Sequence, residues 1–271
     1  MVLPSRGRPE RLDQLLESIS LTATDLTKLE VVILLDKDDS INYSQIKTYN
    51  INCNFIVGNS GRTMGELNQD CVFHAKGDVI FFMNDDVIFR SLAWDIILLE
   101  KISLMLDSKY IMYPNDLFKG SKLCTFPIMD RKFLLKNLDI IPSNYLGSFM
   151  DLHIMDIFKA YSGGSRILYI PDIVCEHKHY RTDQSLLDDT YLKRDRFKDD
   201  LIFIQLSGSR ANITSRLENI EPKTRITFKD DSVFQLLLGS ASISWKLRIF
   251  LYMLCRKLYI RIQRIISNKD F

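Results

Sequence analysis

The residues of this chain that could do chemistry gather first at Asp78-Val79-Ile80-Phe81-Phe82-Met83-Asn84-Asp85-Asp86, an apolar run that stops at two adjacent carboxylates. A run of this kind reads as a buried strand, and open α/β sheets bind ligands beyond the carboxyl ends of their strands. Two neighbouring aspartates repel each other unless a cation or ordered solvent lies between them. Hard oxygen donors suit Mg²⁺ or Mn²⁺ accompanied by substrate phosphates. Asp86 is the expected direct ligand, with Asn84 and Asp85 supporting it. The plainer alternative is a turn, where Asn and Asp are common for local reasons.

Three further groups stand at the ends of apolar stretches. His177-Lys178-His179 follows Ile173-Val174-Cys175, and in extended chain the two rings point to opposite faces. One of the two is expected at the cation and the other at solvent or a phosphate; a structural histidine is the alternative. Pro4-Ser5-Arg6-Gly7-Arg8 follows Val2-Leu3, Asp36 closes Glu30-Val31-Val32-Ile33-Leu34-Leu35, and Arg62 follows Asn54-Phe55-Ile56-Val57. Guanidinium forks and backbone N–H groups suit a diphosphate, while a carboxylate can accept from a base or ribose. A solvated loop is the alternative here. Asp151, at the start of a helix with Asp156 further along it, is either an N-cap or a general base for an attacking hydroxyl. The GxGxxG and GxxxxGK[ST] patterns are absent, and no signature of a covalent nucleophile occurs.

These groups must be positioned by alternating strands and helices. Pro9 suits a first helical turn, and Leu12, Leu15, Leu16 and Ile19 follow at helical spacing. Strands are expected at 30–35, 54–57 and 78–83, with helices at 43–49 and 64–74. That alternation predicts right-handed crossovers and a mostly parallel Rossmann-like sheet flanked by helices. Downstream, helices are expected at 91–106, 130–138, 151–161 and 186–206. Strands are expected at 110–113, 123–127, 167–170 and 173–175, the last two interrupted by Pro171-Asp172.

The chain has 271 residues, 46% of them hydrophobic, enough for one large domain with an appendage. A formal charge of +2 gives no reason to expect a polyanion partner over the whole surface. The five cysteines (Cys53, Cys71, Cys124, Cys175 and Cys255) show no CxxC spacing, which points away from a disulfide framework or zinc knuckle and toward a reducing compartment. The N-terminus lacks the pattern of a secretory signal, and no uncharged segment is long enough to span a membrane. A cytoplasmic location is the expectation.

In order and spacing, over roughly residues 2 to 205, these pieces resemble the GT-A-type glycosyltransferases of the large family-2-like group, which use nucleotide-sugar donors. The matching pieces are Pro4-Ser5-Arg6-Gly7-Arg8-Pro9, Asp36, Asn68 before Gly77-Asp78, Asn84-Asp85-Asp86 at the DxD position, Phe149-Met150-Asp151, and Pro171-Asp172 through His177. The resemblance implies that Pro4, Ser5, Arg6, Arg8, Asp36, Arg62, Asn68, Asn84 and Asp85 bind the donor, a UDP-sugar first among candidates. It implies that Asp86 and His177 hold Mn²⁺ or Mg²⁺, and that Asp151 is the catalytic base of an inverting hexosyl transfer. Asn84 stands where the first acid of DxD would be, and Met150 where Glu commonly precedes the base. The absence of Gln-x-x-Arg-Trp speaks for a non-processive enzyme. A sugar nucleotidyltransferase and a GT-A-like protein that binds without turnover are the competing expectations.

The C-terminal stretch differs from the rest. Residues 243–271 carry Lys246, Arg248, Arg256, Lys257, Arg261, Arg264 and Lys269 against a single acid, Asp270, interleaved with Trp245, Leu247, Phe250, Leu251, Leu254 and Leu258. This composition predicts an amphipathic helix on an anionic membrane, placing the protein on the inner face of the membrane with a glycan or lipid-linked acceptor, as in surface polysaccharide assembly. Docking on the catalytic domain or on a second subunit is the alternative; nucleic acid is not an expected partner. The expected organisation is a catalytic domain over 1–206, a linker over 207–242, and this helix over 243–271.

Overall fold

The computed structural model describes residues 1–178 and 196–219, together with six separate helical positions of the tail: Leu247, Phe250, Leu251, Leu254, Cys255 and Leu258. His179, residues 186–195 of the expected charged helix, residues 220–242, and most of 243–271 lie outside the described residues.

The chain begins β1 (Val2–Ser5), α1 (Pro9–Thr22), β2 (Glu30–Asp36), β3 (Asn52–Gly58), α2 (Met64–His74), β4 (Val79–Phe81) and β5 (Val87–Phe89). It continues α3 (Trp94–Ser103), β6 (Ile111–Asn115), β7 (Ile128–Asp130), α4 (Arg131–Lys136), α5 (Met150–Ala160) and β8 (Ile167–His177). Two helices follow, α6 (Arg196–Gln205) and α7 (Ser207–Leu217). Strands β1, β2 and β3 are parallel in the order β1-β2-β3, and β4-β7-β6-β8-β5 form a second sheet. A parallel bridge from Val2 to Phe82 and the bond from Met83 N–H to the Val2 carbonyl join the two.

The core follows from the two-residue period of the strands. Val2, Val32, Leu34, Ile80 and Phe82 face one way, into a cluster with Cys71 and Val72 of α2, Phe133 and Leu134 of α4, and Ile154, Ile157 and Phe158 of α5. Their neighbours Leu3, Val31, Ile33, Leu35, Phe81 and Met83 face the other way, against Leu12, Leu15, Leu16 and Ile19 of α1 and Trp94 and Leu98 of α3. Helices therefore cover both faces of the sheet. Because it is central among the three parallel strands, β2 is buried on both sides, whereas the edge strand β3 is only partly covered.

The parallel arrangement holds for β1–β3, the bridge to Phe82 and the β6–β8 pair, while β7 runs antiparallel to β4 and β6, and β5 antiparallel to β8. Several local expectations need correction. Residues 43–49 form no α-helix: a 3₁₀ turn at Ser40–Tyr43 ends there, and Tyr43 is buried because its hydroxyl serves the β1 loop. The strand expected at 123–127 lies later, at Ile128–Asp130, and α3 is shorter than 91–106. Pro171-Asp172 does not split β8, which runs through to His177 beside β6 with a register shift. The expected linker is helical at its start: α7 occupies Ser207–Leu217, and Ile213, Thr214 and Leu217 are buried. Its packing against α5 makes it part of the domain rather than a connector.

Candidate active site

Asp85 and Asp86 follow β4 and are both nearly fully buried. Carboxylates in that position need partners, and the first loop of the chain supplies them. Ser5 Oγ donates to Asp85 Oδ2 at 2.8 Å, and Arg8 Nη1 lies 3.1 Å from Asp85 Oδ1. Tyr43 completes this junction: its hydroxyl is 2.9 Å from Ser5 Oγ and accepts from the Arg8 N–H at 3.1 Å. Burial is the main force pushing the Asp85 carboxyl up, to about 6, with the Asp86 charge adding to it and Arg8 opposing. Asp85 thus locks the β1 loop onto the end of β4.

Asp86 is shared differently. Its Oδ1 lies 3.3 Å from His177 Nε2, while Oδ2 is 3.7 Å from Arg8 Nη1 and 3.8 Å from Arg11 Nη1. The meeting of Asp86 and His177 is a matter of strand register. Val87 pairs with His177 across β5 and β8, so the residue before Val87 is carried beside the histidine. The Lys178 N–H donates to the Asp86 carbonyl at 2.8 Å and fixes that crossing. His177 is held on its flanks by Phe126, 5.1 Å between ring centroids, and Phe118, 6.3 Å.

The residues fit a divalent cation in part. Two ligand atoms on one octahedral ion with bonds of about 2.1 Å stand about 3.0 Å apart, close to the 3.3 Å between Asp86 Oδ1 and His177 Nε2. Among the described residues no group of three or more His, Cys, Asp or Glu gathers that could hold an ion alone. A cation here would take two protein ligands, leaving the remaining positions for diphosphate oxygens and water, the usual habit of Mg²⁺ beside a nucleotide.

The other expected site residues fall into three places. Arg6 forms a two-pronged pair with Asp38 at 2.7 and 2.7 Å and reaches Asp36 Oδ2 at 2.5 Å. Asp36 Oδ1 is buried with no hydrogen-bond partner. Pro4 sits on β1 opposite Leu34, and Asn84 is half-buried beside the acidic pair. Arg62 and Asn68 are turned onto α2: Arg62 pairs with Asp70 at 2.6 Å, and the Asn68 amide donates to the Met64 carbonyl at 2.9 Å. Asp151 occupies the first turn of α5, with its carbonyl accepting from Cys124 Sγ at 3.1 Å. The segment that touches Asp151 through Cys124 touches His177 through Phe126, two residues further along the chain. Cys124 and Cys175 are pushed up by burial, which marks them as packing residues rather than nucleophiles.

Two residues of the site escaped the sequence reading. Arg11 looks like the polar side of α1, yet it reaches Asp86. Asp116 follows β6 and is fully buried; its Oδ1 accepts from the N–H groups of Phe118, Lys119 and Gly120, and its Oδ2 from Thr125 Oγ1. Its carbonyl also accepts from the His177 N–H at 3.1 Å. The signal was present, since Asp116 comes just after an apolar strand, as Asp86 does.

No family model matches the sequence, and no curated protein matches it. Solved structures do. The S. aureus TarS fragment 1–349 in complex with UDP-GlcNAc is similar with a TM-score of 0.54 and 16% identity, over 80% of this chain and 70% of that one. The same fragment in complex with UDP gives 0.50 over 80% and 70%, and the longer S. aureus TarS structure gives 0.50 and 13% identity over 81% and 50%. At these identities the likeness is one of architecture: this chain has the GT-A fold of the glycosyltransferases.

Proposed function

We propose that this protein is a glycosyltransferase that moves a hexose from a nucleoside diphosphate sugar, first among candidates a UDP-sugar, to a hydroxyl of a glycan or lipid-linked acceptor. The reading makes it inverting, non-processive and assisted by Mn²⁺ or Mg²⁺. The observation that carries it is the pair of Asp86 Oδ1 and His177 Nε2 at 3.3 Å, with Arg8 and Arg11 on the other oxygen of the same carboxylate. A paired ligand set ringed by guanidinium groups suits a leaving diphosphate in a GT-A fold.

In this reading the nucleoside lies by Asp36, whose buried and unpartnered Oδ1 accepts a hydrogen bond from ribose or base. Asp86 and His177 hold the cation, which when bound stabilises the charge that grows on the diphosphate. Arg8 and Arg11 add positive charge on the same side. Asp151 takes the proton from the acceptor hydroxyl as its oxygen bonds to the anomeric carbon and the bond to the diphosphate oxygen breaks. The tail is assigned to an anionic membrane surface on the cytoplasmic side, where a lipid-linked acceptor would be found. Its described positions support this: Leu247, Phe250, Leu251, Leu254 and Leu258 share one helix face and are exposed.

The test is release of nucleoside diphosphate from a panel of donors with glycan and lipid-linked acceptors, with and without Mn²⁺. Calorimetric binding of Mn²⁺ and UDP to the native chain and to Asp86→Ala runs alongside. Turnover on one donor, with Mn²⁺ binding lost in Asp86→Ala, is the expected result. Pyrophosphate release from a nucleoside triphosphate and a sugar phosphate would replace this reading with a nucleotidyltransferase. UDP binding with no transfer on any donor would leave a binding protein.

A further inference from the structure

Helix α5 carries Asp151, whose own Oδ1 accepts from the Leu152 N–H at 2.8 Å in the first turn. Phe149 precedes it in the left-handed region at φ 70° and offers no side-chain hydrogen bond to the first turn. With no N-cap side chain to fix it, the point where the helix begins depends on the loop that leads into it. A residue far along the chain holds that loop. Asp199 of α6 is buried at 1% exposure, and its carboxylate accepts from three successive backbone N–H groups: Leu146 at 2.8 Å on Oδ1, and Gly147 at 3.1 Å and Ser148 at 2.8 Å on Oδ2.

The same unit grips α5 twice more. Phe203, one helical turn after Asp199, packs its ring against that of Phe149, with centroids 5.4 Å apart. Arg210 of α7 donates through Nε to Asp156 Oδ2 at 2.6 Å and through Nη1 to the Phe203 carbonyl at 2.7 Å, and its guanidinium lies 3.8 Å over the Phe203 ring. Asp151 therefore sits between two anchor points, 146–149 before it and Asp156 after it, both held by α6 and α7. The carboxylate is the part that cannot be replaced by shape alone, because it must accept from three donors at once.

We infer that Asp199 is a positioning residue for Asp151: by gathering the N–H groups of 146–148 it fixes where α5 begins, and so where the base stands. The inference rests on the reading of Asp151 as the base. Charge-assisted bonds from backbone N–H groups are strong, and a catalytic group displaced by about 1 Å loses on the order of a hundredfold in rate. Asp199→Asn keeps the volume but turns one acceptor into a donor facing an N–H group.

The test compares Asp199→Asn, Asp199→Glu, Arg216→Gln and Asp151→Asn with the native chain. Arg216 is the control within the same unit, since it ties α7 to Asp139 on the surface and touches neither 146–149 nor Asp151. Four readouts are taken: kcat, KM for the donor, UDP affinity, and amide hydrogen exchange over residues 146–152. Asp199→Asn is expected to lower kcat by about ten- to a hundredfold, with donor KM and UDP affinity within about twofold, and to speed exchange over 146–152 at least about tenfold. Asp199→Glu should recover part of kcat, and Arg216→Gln should match the native chain. Unchanged exchange over 146–152 in Asp199→Asn overturns the inference whether or not a substrate is in hand, as does a parallel fall in kcat and UDP affinity. If Asp151→Asn abolishes transfer while Asp199→Asn keeps native kcat, the positioning role fails and the base survives. Native turnover in Asp151→Asn removes both.

Discussion

Burying an ionisable side chain shifts its titration toward the neutral form, and the clearest instance in this protein lies beside the candidate base. His153 is fully buried, with Nδ1 2.9 Å from the Tyr145 hydroxyl. Burial, reinforced by the charge of Arg210, lowers its pKa from 6.5 to about 3. The unfolded chain therefore binds a proton below pH 6.5 that the folded chain refuses. Stability is fully present above that pH and falls as pH drops from 6.5 toward 3, by about 1.4 kcal/mol per pH unit once well below 6.5. Denaturant midpoints at pH 7, 6 and 5 should show this loss in the native chain. His153→Leu should be weaker at pH 7, because Tyr145 loses its partner, yet flatter with pH. An equal slope in both would rule out His153 as the source. At this scale the sequence showed the strand-end acids Asp36 and Asp86, because an apolar run that ends in a carboxylate is a pattern. It hid Asp199, whose partners are backbone N–H groups with no side-chain signature.

Elements meet here through glycine and register rather than through local propensity. Gly65 lies in the first turn of α2, where its N–H donates to the Tyr145 carbonyl at 3.1 Å. A Cβ at that position would stand 2.1 Å from the Pro142 carbonyl oxygen and 2.8 Å from Ser143 Cα, both backbone atoms that cannot swing aside. Gly65→Ala should therefore push α2 and the 142–145 loop apart and cost about 2–3 kcal/mol, in the range of overpacking. Because that loop runs directly into 146–149, transfer should fall as well. A denaturation midpoint within experimental error of the native one would show that the loop gives way without strain. Element types were largely legible where apolar periodicity was strong, as in α1 and β2. They failed at α7, whose Gly208, Asn212 and Thr214 have poor helix propensity. Burial of Ile213 and Leu217 against the α5 side of the core holds it instead, a tertiary effect no local window contains.

For the whole molecule the question is how charge and apolar surface are divided between body and tail. The chain carries a net charge of only +2, while residues 243–271 hold seven basic residues and one acid. The rest of the chain is therefore net negative and would be repelled by an anionic surface that attracts the tail. Such a division orients the molecule as well as recruiting it. Among the described residues no helix is long and apolar enough to cross a membrane; in the proposed reading the tail, whose basic residues interleave with apolar ones, lies along the surface. Each basic residue near an anionic leaflet contributes about 1 kcal/mol, screened over a Debye length of about 8 Å at physiological salt. The full chain should float with vesicles containing anionic lipid and not with neutral ones, and should be released by 0.5 M salt in part, since the apolar face remains bound. Removing 243–271 should abolish flotation and leave turnover on a water-soluble acceptor within about twofold, because the proposed ligands Asp86 and His177 and the candidate base Asp151 lie outside the tail. Replacing Leu247, Leu251, Leu254 and Leu258 by Ser should weaken vesicle binding even at low salt. If that variant floats as well as the native chain, charge alone holds the protein at the surface. If the native chain ignores anionic vesicles and instead dimerises through the tail, the exposed leucine face belongs to a second copy.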